Sequence, residues 1–423
     1  MKRYLTIWLA ATGVLLLTTA AINLVVDPYG IFRLVDAKGL NQIKPHAGEQ
    51  GAMTKAYQVL RVQPSGLILG NSRAEVGFDP AHFAWPDAAV PVYNLALPGT
   101  GTHTTLQYLQ HVLEAQKGDP PKVIVWGIDF MDFLTDRTTH SNRGMVDKKD
   151  PRLLANPDGS RNPSRGLQQL RDGFEATFTL GALLDSISTL RAQQNPYSAD
   201  LTSLGFNPMR DYTKITADEG YWAIFQQRNI ENIKAYSNRP HDIFDASGAT
   251  SPALDDLRRV IKLCRQHGIN LRLVIYPYHA HLLEIIQLTG HGKVFENWKR
   301  AVVHVAHTES ISAGLAPIPL WDFSLFNEYT ESSVPAKGDK KTINKWYWEA
   351  GHFKRELGDR ILEQVLSEGS PYPELGIRLD STNLESVLTQ QQALALNYRQ
   401  THAAEVDELV KMAERNSFIS ARR

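Results

Sequence analysis

The chain has 423 residues, 43% hydrophobic and 9% aromatic, which is enough apolar material for one large core with attachments. Basic and acidic residues balance at 45 each, so no net positive field exists to hold nucleic acid by counterion release. The single cysteine, Cys264, excludes an intramolecular disulfide and a thiolate-rich zinc site. Its place in the helical run Leu257–His267 reads as a buried structural thiol.

At the N-terminus, Lys2 and Arg3 precede an uninterrupted apolar stretch from Leu5 to Val26, close to the roughly 20 residues a helix needs to cross the hydrocarbon. Asp27-Pro28 ends it. A cleaved signal peptide is the rival reading, but its apolar region is normally about 7–15 residues and closes on a small-residue cleavage site, for which Thr19-Ala20-Ala21 is a poor match. Residues 1–26 are therefore expected to be a retained single-pass anchor in the inner membrane. The basic end stays in the cytoplasm and everything after Asp27 lies outside, in the periplasm of a Gram-negative cell.

Residues 27–65 mix polar and apolar positions without a sustained period and are read as a connector. The first strong strand signal is Gly66-Leu-Ile-Leu-Gly70, followed directly by Asn71-Ser72-Arg73-Ala74-Glu75 as a tight turn and helix start. A second run, Val90–Ala96, ends in Pro98-Gly99-Thr100-Gly101 and leads into a helical pattern over Thr104–Ala115. A third, Lys122–Trp126, ends at Gly127-Ile128-Asp129-Phe130. A fourth, Asn270–Tyr276, follows a helix over Pro252–His267. Apolar strands alternating with amphipathic helices predict an α/β domain over 66–365, a three-layer α/β/α arrangement around a mostly parallel central sheet, with its ligand site at the carboxyl ends of the strands.

From about 135 to 245 the pattern breaks into polar sequence with weaker helical stretches such as Leu167–Leu190. This is read as a helical insertion packed over or beside the site, because a structureless loop of that length is improbable in a compact domain. Residues 366–423 form a charged tail expected to be an appended helix or helix pair.

Two constellations carry chemistry. Ser72 stands immediately after a strand at a helix entrance, which exposes its hydroxyl at the sheet edge and aims its backbone N–H at the same point. Taken alone, such a serine is an N-cap more often than a catalyst. In Glu349-Ala-Gly-His352, a carboxylate three positions before an imidazole can hold one ring nitrogen while the other faces the serine. As an isolated pattern, Glu-x-x-His also occurs on plain surfaces.

Together and in this order, these segments resemble the SGNH (GDSL-like) hydrolase superfamily. Gly70-Asn71-Ser72-Arg73 is similar to its first block, Asn94–Gly101 to its second, and Glu349-x-x-His352 to its last, with Glu replacing the usual Asp. In the third block the family shows Gly-x-Asn-Asp, with the Asn donating to the oxyanion, whereas this chain has Gly127-Ile-Asp129-Phe130. An ionised Asp accepts hydrogen bonds and cannot donate one, so Asp129 is protonated, serves another role, or marks a reduced oxyanion hole. The likeness is greatest to membrane-anchored SGNH-like proteins of bacterial exopolysaccharide O-acetylation.

The resemblance implies acyl transfer through an acyl-serine, with Ser72 as nucleophile and His352 as base then acid. Glu349 would orient the ring, and the N–H groups of Ser72 and of Gly99 or Gly101 would stabilise the oxyanion. The implied partners are a polysaccharide or glycan substrate, an acyl donor and other polysaccharide-biosynthesis proteins, with no cofactor or metal. The alternative is a catalytically silent scaffold or glycan-binding component on the same fold. Arg73 either binds a carboxylated sugar or pairs within the domain, and His279 or His281 either lines the pocket or makes a polar loop contact. Trp346, Tyr347 and Trp348 either stack on sugar rings or pack in the core, and Asp322 reads as a turn former.

Overall fold

The computed structural model describes residues 1–135, 150–245, 248, 251–311, 314, 316–367 and 371–420. It is mixed α/β. The central sheet has six strands: β1 (Gly66–Leu69), β2 (Val92–Asn94), β3 (Val123–Ile128), β4 (Asn270–Ile275), β5 (Leu320–Asp322) and β8 (Ile377–Leu379). They lie in the order β2-β1-β3-β4-β5-β8, the first five parallel and β8 antiparallel on the edge. Central strands covered on both faces read as continuous apolar runs, and Leu67, Ile68, Leu69, Ile124 and Val125 are all buried.

Chain order reverses between β1 and β3, since β2 lies to one side of β1 and the later strands to the other. That is where open sheets leave a crevice beyond the strand ends. The turn carrying Ser72 follows β1, and Asp129 follows β3.

Helices α2 (Gly51–Val62), α4 (Thr102–Ala115), α9 (Pro252–Gln266) and α11 (Gly292–Ile311) pack side by side in that order. The short α3 (Ser72–Gly77) packs with α12 (Arg355–Leu366) and with a separate two-stranded ribbon, β6 (Tyr347–Glu349) and β7 (His352–Phe353). Helix α9 starts on a Ser251 cap with Pro252 in its first turn. On its inner face Cys264 is fully buried, and burial pushes the thiol up to about 12, as fits a structural thiol.

Helix α1 (Lys2–Val26) is long and apolar enough to cross a membrane. Its end is held by polar side chains: Lys44 Nζ donates to the carbonyls of Val26 and Asp27 at 3.0 and 2.8 Å, and Asn41 Nδ2 donates to Val25 O at 2.8 Å. A cation at a helix C-terminus satisfies orphan carbonyls and opposes the helix dipole. Residues 27–65 therefore differ from the expected connector. Their second half is the buried helix α2, whose Ala56, Val59 and Lys55 face the domain.

The insertion is helical, as α5 (Arg165–Phe178), α6 (Leu180–Ala192), α7 (Arg210–Glu219) and α8 (Tyr221–Ser237). Its stretch 136–149 lies outside the described residues. The expected continuous helix over Leu167–Leu190 is broken at Thr179, whose hydroxyl caps α6 by accepting from Ala182 N at 3.2 Å.

The boundary expected at 366 does not hold. Past it the chain adds the edge strand β8, whose Leu379 pairs with Leu320, and then α13 (Leu384–Thr401) and α14 (Ala403–Ser420). Helix α14 packs on α8 and on α10 (Ala280–Leu288), with Glu405 accepting from His281 at 2.9 Å and Arg399 pairing with Glu284 at 2.8 Å. The tail adds the edge strand to the main sheet, α13 packs on α11, and α14 covers α8 of the insertion.

Candidate active site

Gly70 has φ +141, a conformation that favours glycine, and a Cβ there would collide with the Tyr276 hydroxyl. The turn it permits puts Asn71 at the N-cap of α3, where its Oδ1 accepts from Arg73 N at 3.1 Å. Ser72 is then the first residue of a helix, and its own N–H is among those with no intrahelical acceptor. Asn94, at the end of β2, fixes the other end of α3 by donating from Nδ2 to Ala74 O and Phe78 O, both at 2.9 Å. The serine thus sits on a turn pinned at both ends.

The ribbon β6–β7 brings Glu349 and His352 to that serine. Ser72 Oγ lies 2.8 Å from His352 Nε2 across 280 positions of sequence, and His352 Nδ1 is in short contact with Glu349 Oε1. Glu349 is buried and also accepts from Gly351 N at 2.7 Å through Oε2. Burial alone would raise its pKa, but His352, the Gly351 N–H and Arg228 outweigh it and hold the carboxyl at about 2. An ionised Glu349 requires Nδ1 to carry the proton, so Nε2 is left to accept from the Ser72 hydroxyl. Ser72 and His352 are only half-buried, so the reacting atoms remain reachable.

These three side chains line a pocket of about 180 Å³ together with Pro98, Asn207, Met209, Tyr212, Arg228 and Trp348. That is smaller than the roughly 300–1,000 Å³ that holds a drug-sized ligand, and it suits a short acyl group. Four of the lining residues come from the insertion: Asn207 and Met209 just before α7, Tyr212 on α7 and Arg228 on α8. The insertion therefore packs over the site. Tyr212 meets Trp348 edge-on with ring centroids 5.9 Å apart, and Arg228 Nε donates to the Tyr212 hydroxyl at 3.2 Å.

Behind Ser72 lies a buried polar cluster. Asp129 Oδ2 is in short contact with Arg73 Nη1 and accepts from Asn71 Nδ2 at 2.8 Å, while its Oδ1 accepts from the Tyr278 hydroxyl at 2.6 Å. Arg73 Nε donates to Gly351 O at 2.7 Å, linking the turn after β1 to the ribbon that carries the histidine. Of the roles expected for Asp129, the geometry shows an acceptor that organises the turn after β1. Arg73 is spent inside the domain and does not face the pocket.

Other expected site residues lie elsewhere. Gly99 and Gly101 line a neighbouring cavity that meets the Ser72 pocket only through Pro98. His279 does not reach the pocket: it is buried, caps α10 by accepting from His281 N at Nδ1 (3.1 Å), and faces Ser332 O from Nε2 at 2.8 Å. Of the three aromatics before the histidine, Tyr347 is fully buried, Trp346 packs against the core, and only Trp348 faces the pocket. Asp322 is buried and paired with Lys299 at 2.7 Å as well as capping its turn at Ser324 N.

Two contributions escaped the sequence. The insertion residues at 207–228 had no motif to mark them. Lys55, fully buried on α2, pairs with Glu75 at 2.8 Å and donates to Ala96 O, so the segment before the first strand braces both α3 and the loop toward Gly99. A lysine inside an amphipathic helix carries no signal for such a role. Among the described residues there is no group of three or more His, Cys, Asp and Glu arranged to hold a metal ion. No protein-family model matches the chain, and no curated protein matches it significantly.

Proposed function

We propose that this protein is an SGNH-type serine-dependent acyltransferase or esterase that moves a short acyl group, in the first instance acetyl, through an acyl-serine at Ser72. The observation that carries the reading is the chain of contacts from Glu349 through His352 to Ser72, in a pocket sized for a small acyl group. Ser72 Oγ attacks the acyl carbonyl and passes its proton to His352 Nε2, which returns it to the departing alkoxide or thiolate. The acyl-serine is then resolved by a second hydroxyl, deprotonated by the same nitrogen. Water as acceptor gives an esterase and a sugar hydroxyl gives a transferase. The Ser72 N–H at the start of α3 would be the first oxyanion donor.

The aromatic ring of Trp348 and the guanidinium of Arg228 at the pocket edge favour a polar, ring-shaped acceptor such as a glycan. With α1 as an anchor, the acceptor is an extracytoplasmic polysaccharide or envelope glycan, and the acyl donor reaches the site from the same side.

A second reading has its own observation. Asp129 is occupied by Arg73, Asn71 and Tyr278, so the third-block oxyanion donor is missing, as in a catalytically silent glycan-binding scaffold on the same fold. Turnover of a chromogenic acetyl ester by the full-length protein separates the two. The enzyme reading expects release of chromophore in wild type and loss of at least a thousandfold in Ser72→Ala. Equal rates in both would leave only the scaffold.

A further inference from the structure

The α5–α6 hairpin is built with inverted polarity. Its inner face, against the rest of the protein, is small and polar: Asp172, Ala176 and Thr177 on α5, and Ala182, Ser186 and Thr189 on α6. Its outer face is large and apolar. On α5, Leu167, Leu170, Phe174 and Phe178 recur at helical spacing, and the first three are 77%, 73% and 61% exposed. On α6, Leu180 and Leu184 are 69% and 60% exposed. A helix facing water shows the reverse arrangement, and a contiguous apolar surface of this kind marks an interaction site.

What covers this surface follows from its neighbour. Both helices pack against α1, through contacts of the sort that hold helices together in lipid. Asn23 Nδ2 donates to Thr177 O at 3.0 Å, and Ser186 Oγ donates to Asn23 Oδ1 at 2.9 Å, beside the buried Thr19 and Ala20. The remaining sides of α1 are apolar and exposed, with Val14 at 64% and Val25 at 44%. The apolar surface of the hairpin thus continues that of a helix long and apolar enough to cross a membrane.

We propose that the outer face of the α5–α6 hairpin is immersed in the acyl-chain region of the bilayer that α1 crosses, in the leaflet where α1 emerges. The two helices have 14 and 13 residues. At 1.5 Å per residue each is about 20 Å long, short of the roughly 30 Å hydrocarbon core, so the hairpin sits in one leaflet and does not span. Arg171, exposed beside the apolar stripe, is neutralised by Glu175 at 3.0 Å, and the exposed Arg191 in the last turn of α6 reaches the lipid headgroups. The same insertion supplies Tyr212 and Arg228 to the Ser72 pocket, so the membrane contact also sets how that pocket is held above the lipid surface.

The test uses full-length protein in vesicles of phosphatidylethanolamine and phosphatidylglycerol. Because Cys264 is buried, single introduced cysteines take an environment-sensitive fluorophore cleanly. Labels go on Leu170→Cys, Phe174→Cys and Leu184→Cys, with Val14→Cys on α1 and Phe83→Cys, an 82% exposed apolar position of the α/β domain, as comparators. The proposal expects nitroxide-bearing lipids to quench positions 170, 174, 184 and 14 several-fold while aqueous iodide quenches only 83. Iodide quenching at 170, 174 and 184 equal to that at 83 overturns it. Protection of those three from both quenchers also overturns it, because a protein partner then covers the face. Iodide quenching at position 14 takes the anchor away and the proposal with it.

Discussion

Arg73 and Asp129 form a buried ion pair directly behind Ser72, joining the turn after β1 to the end of β3. The pair gives Asp129 a structural role at the position where the SGNH resemblance implies an oxyanion-donating amide. Asp129 has three side-chain donors converging on it and no capacity to spare.

Asp129→Asn would restore the amide of the third block, yet it is expected to harm the protein. It leaves the Arg73 guanidinium buried without a counter-charge, at a cost of about 3–5 kcal/mol. Urea denaturation followed by circular dichroism measures this. An Asn variant as stable as wild type and faster in ester turnover would show that the cluster is not structural.

Glu349→Gln keeps the shape of the triad but removes the acceptor that fixes the histidine tautomer. The expected loss in kcat is on the order of ten-thousand-fold with little change in KM. Because the folded-state pKa of Glu349 is depressed to about 2, its contribution to stability is present above the unfolded carboxylate value of about 4.3 and is lost as pH falls through about 2. The difference in stability between wild type and Glu349→Gln should therefore be constant from pH 7 to 5 and shrink only at lower pH, as chemical denaturation across that range can check.

His111 and His279 share one arrangement: Nε2 faces a backbone carbonyl, and Nδ1 accepts from the backbone N–H of Leu154 or His281. Protonation at Nδ1 would set N–H against N–H, and burial holds the two rings down at about 4 and about 3. Unfolded histidines take up protons near pH 6.5, so between there and the folded values the unfolded chain binds more protons and acid destabilises the fold. Each ring should contribute about 2 kcal/mol of lost stability between pH 7 and pH 5. His279→Gln is expected to reduce the stability lost between pH 7 and pH 5 by about 2 kcal/mol, and a loss unchanged in the variant would contradict the assignment.

Lys55→Met removes the ammonium that braces Glu75 and the carbonyl of Ala96, leaving Glu75 buried and unpaired. The expected destabilisation is about 3–5 kcal/mol, with ester turnover reduced because Glu75 lines the pocket. Lys55→Met combined with Glu75→Gln should recover part of the stability, which a double-mutant cycle in urea would measure.

Four of the five parallel strands were legible because each is a short apolar run closed by Gly or Pro, as at Gly66–Gly70 and Asn270–Tyr276. The convergence of Ser72, Glu349 and His352 was legible because the proposed acyl transfer needs those residue types and two short segments supply them. Other features had no local signal. Strand β8 is three residues long, and Ile377-Arg-Leu379 is too short for any period to show. The roles of Arg73, Asp129 and Tyr278 depend on contacts across 56 and 149 positions, and those of Tyr212 and Arg228 on how the insertion folds back. His279 followed a strand end as a pocket residue would, but the helix that begins after it claims the ring as a cap.

Activation of Ser72 by His352 is the step on which the proposed acyl transfer depends. Full-length protein treated with a fluorophosphonate and digested for peptide mass spectrometry tests it most directly. The expected result is a stable adduct on the peptide containing Ser72, formed at least a hundredfold more slowly in His352→Ala. No adduct on that serine, or labelling at the same rate without the histidine, would contradict it.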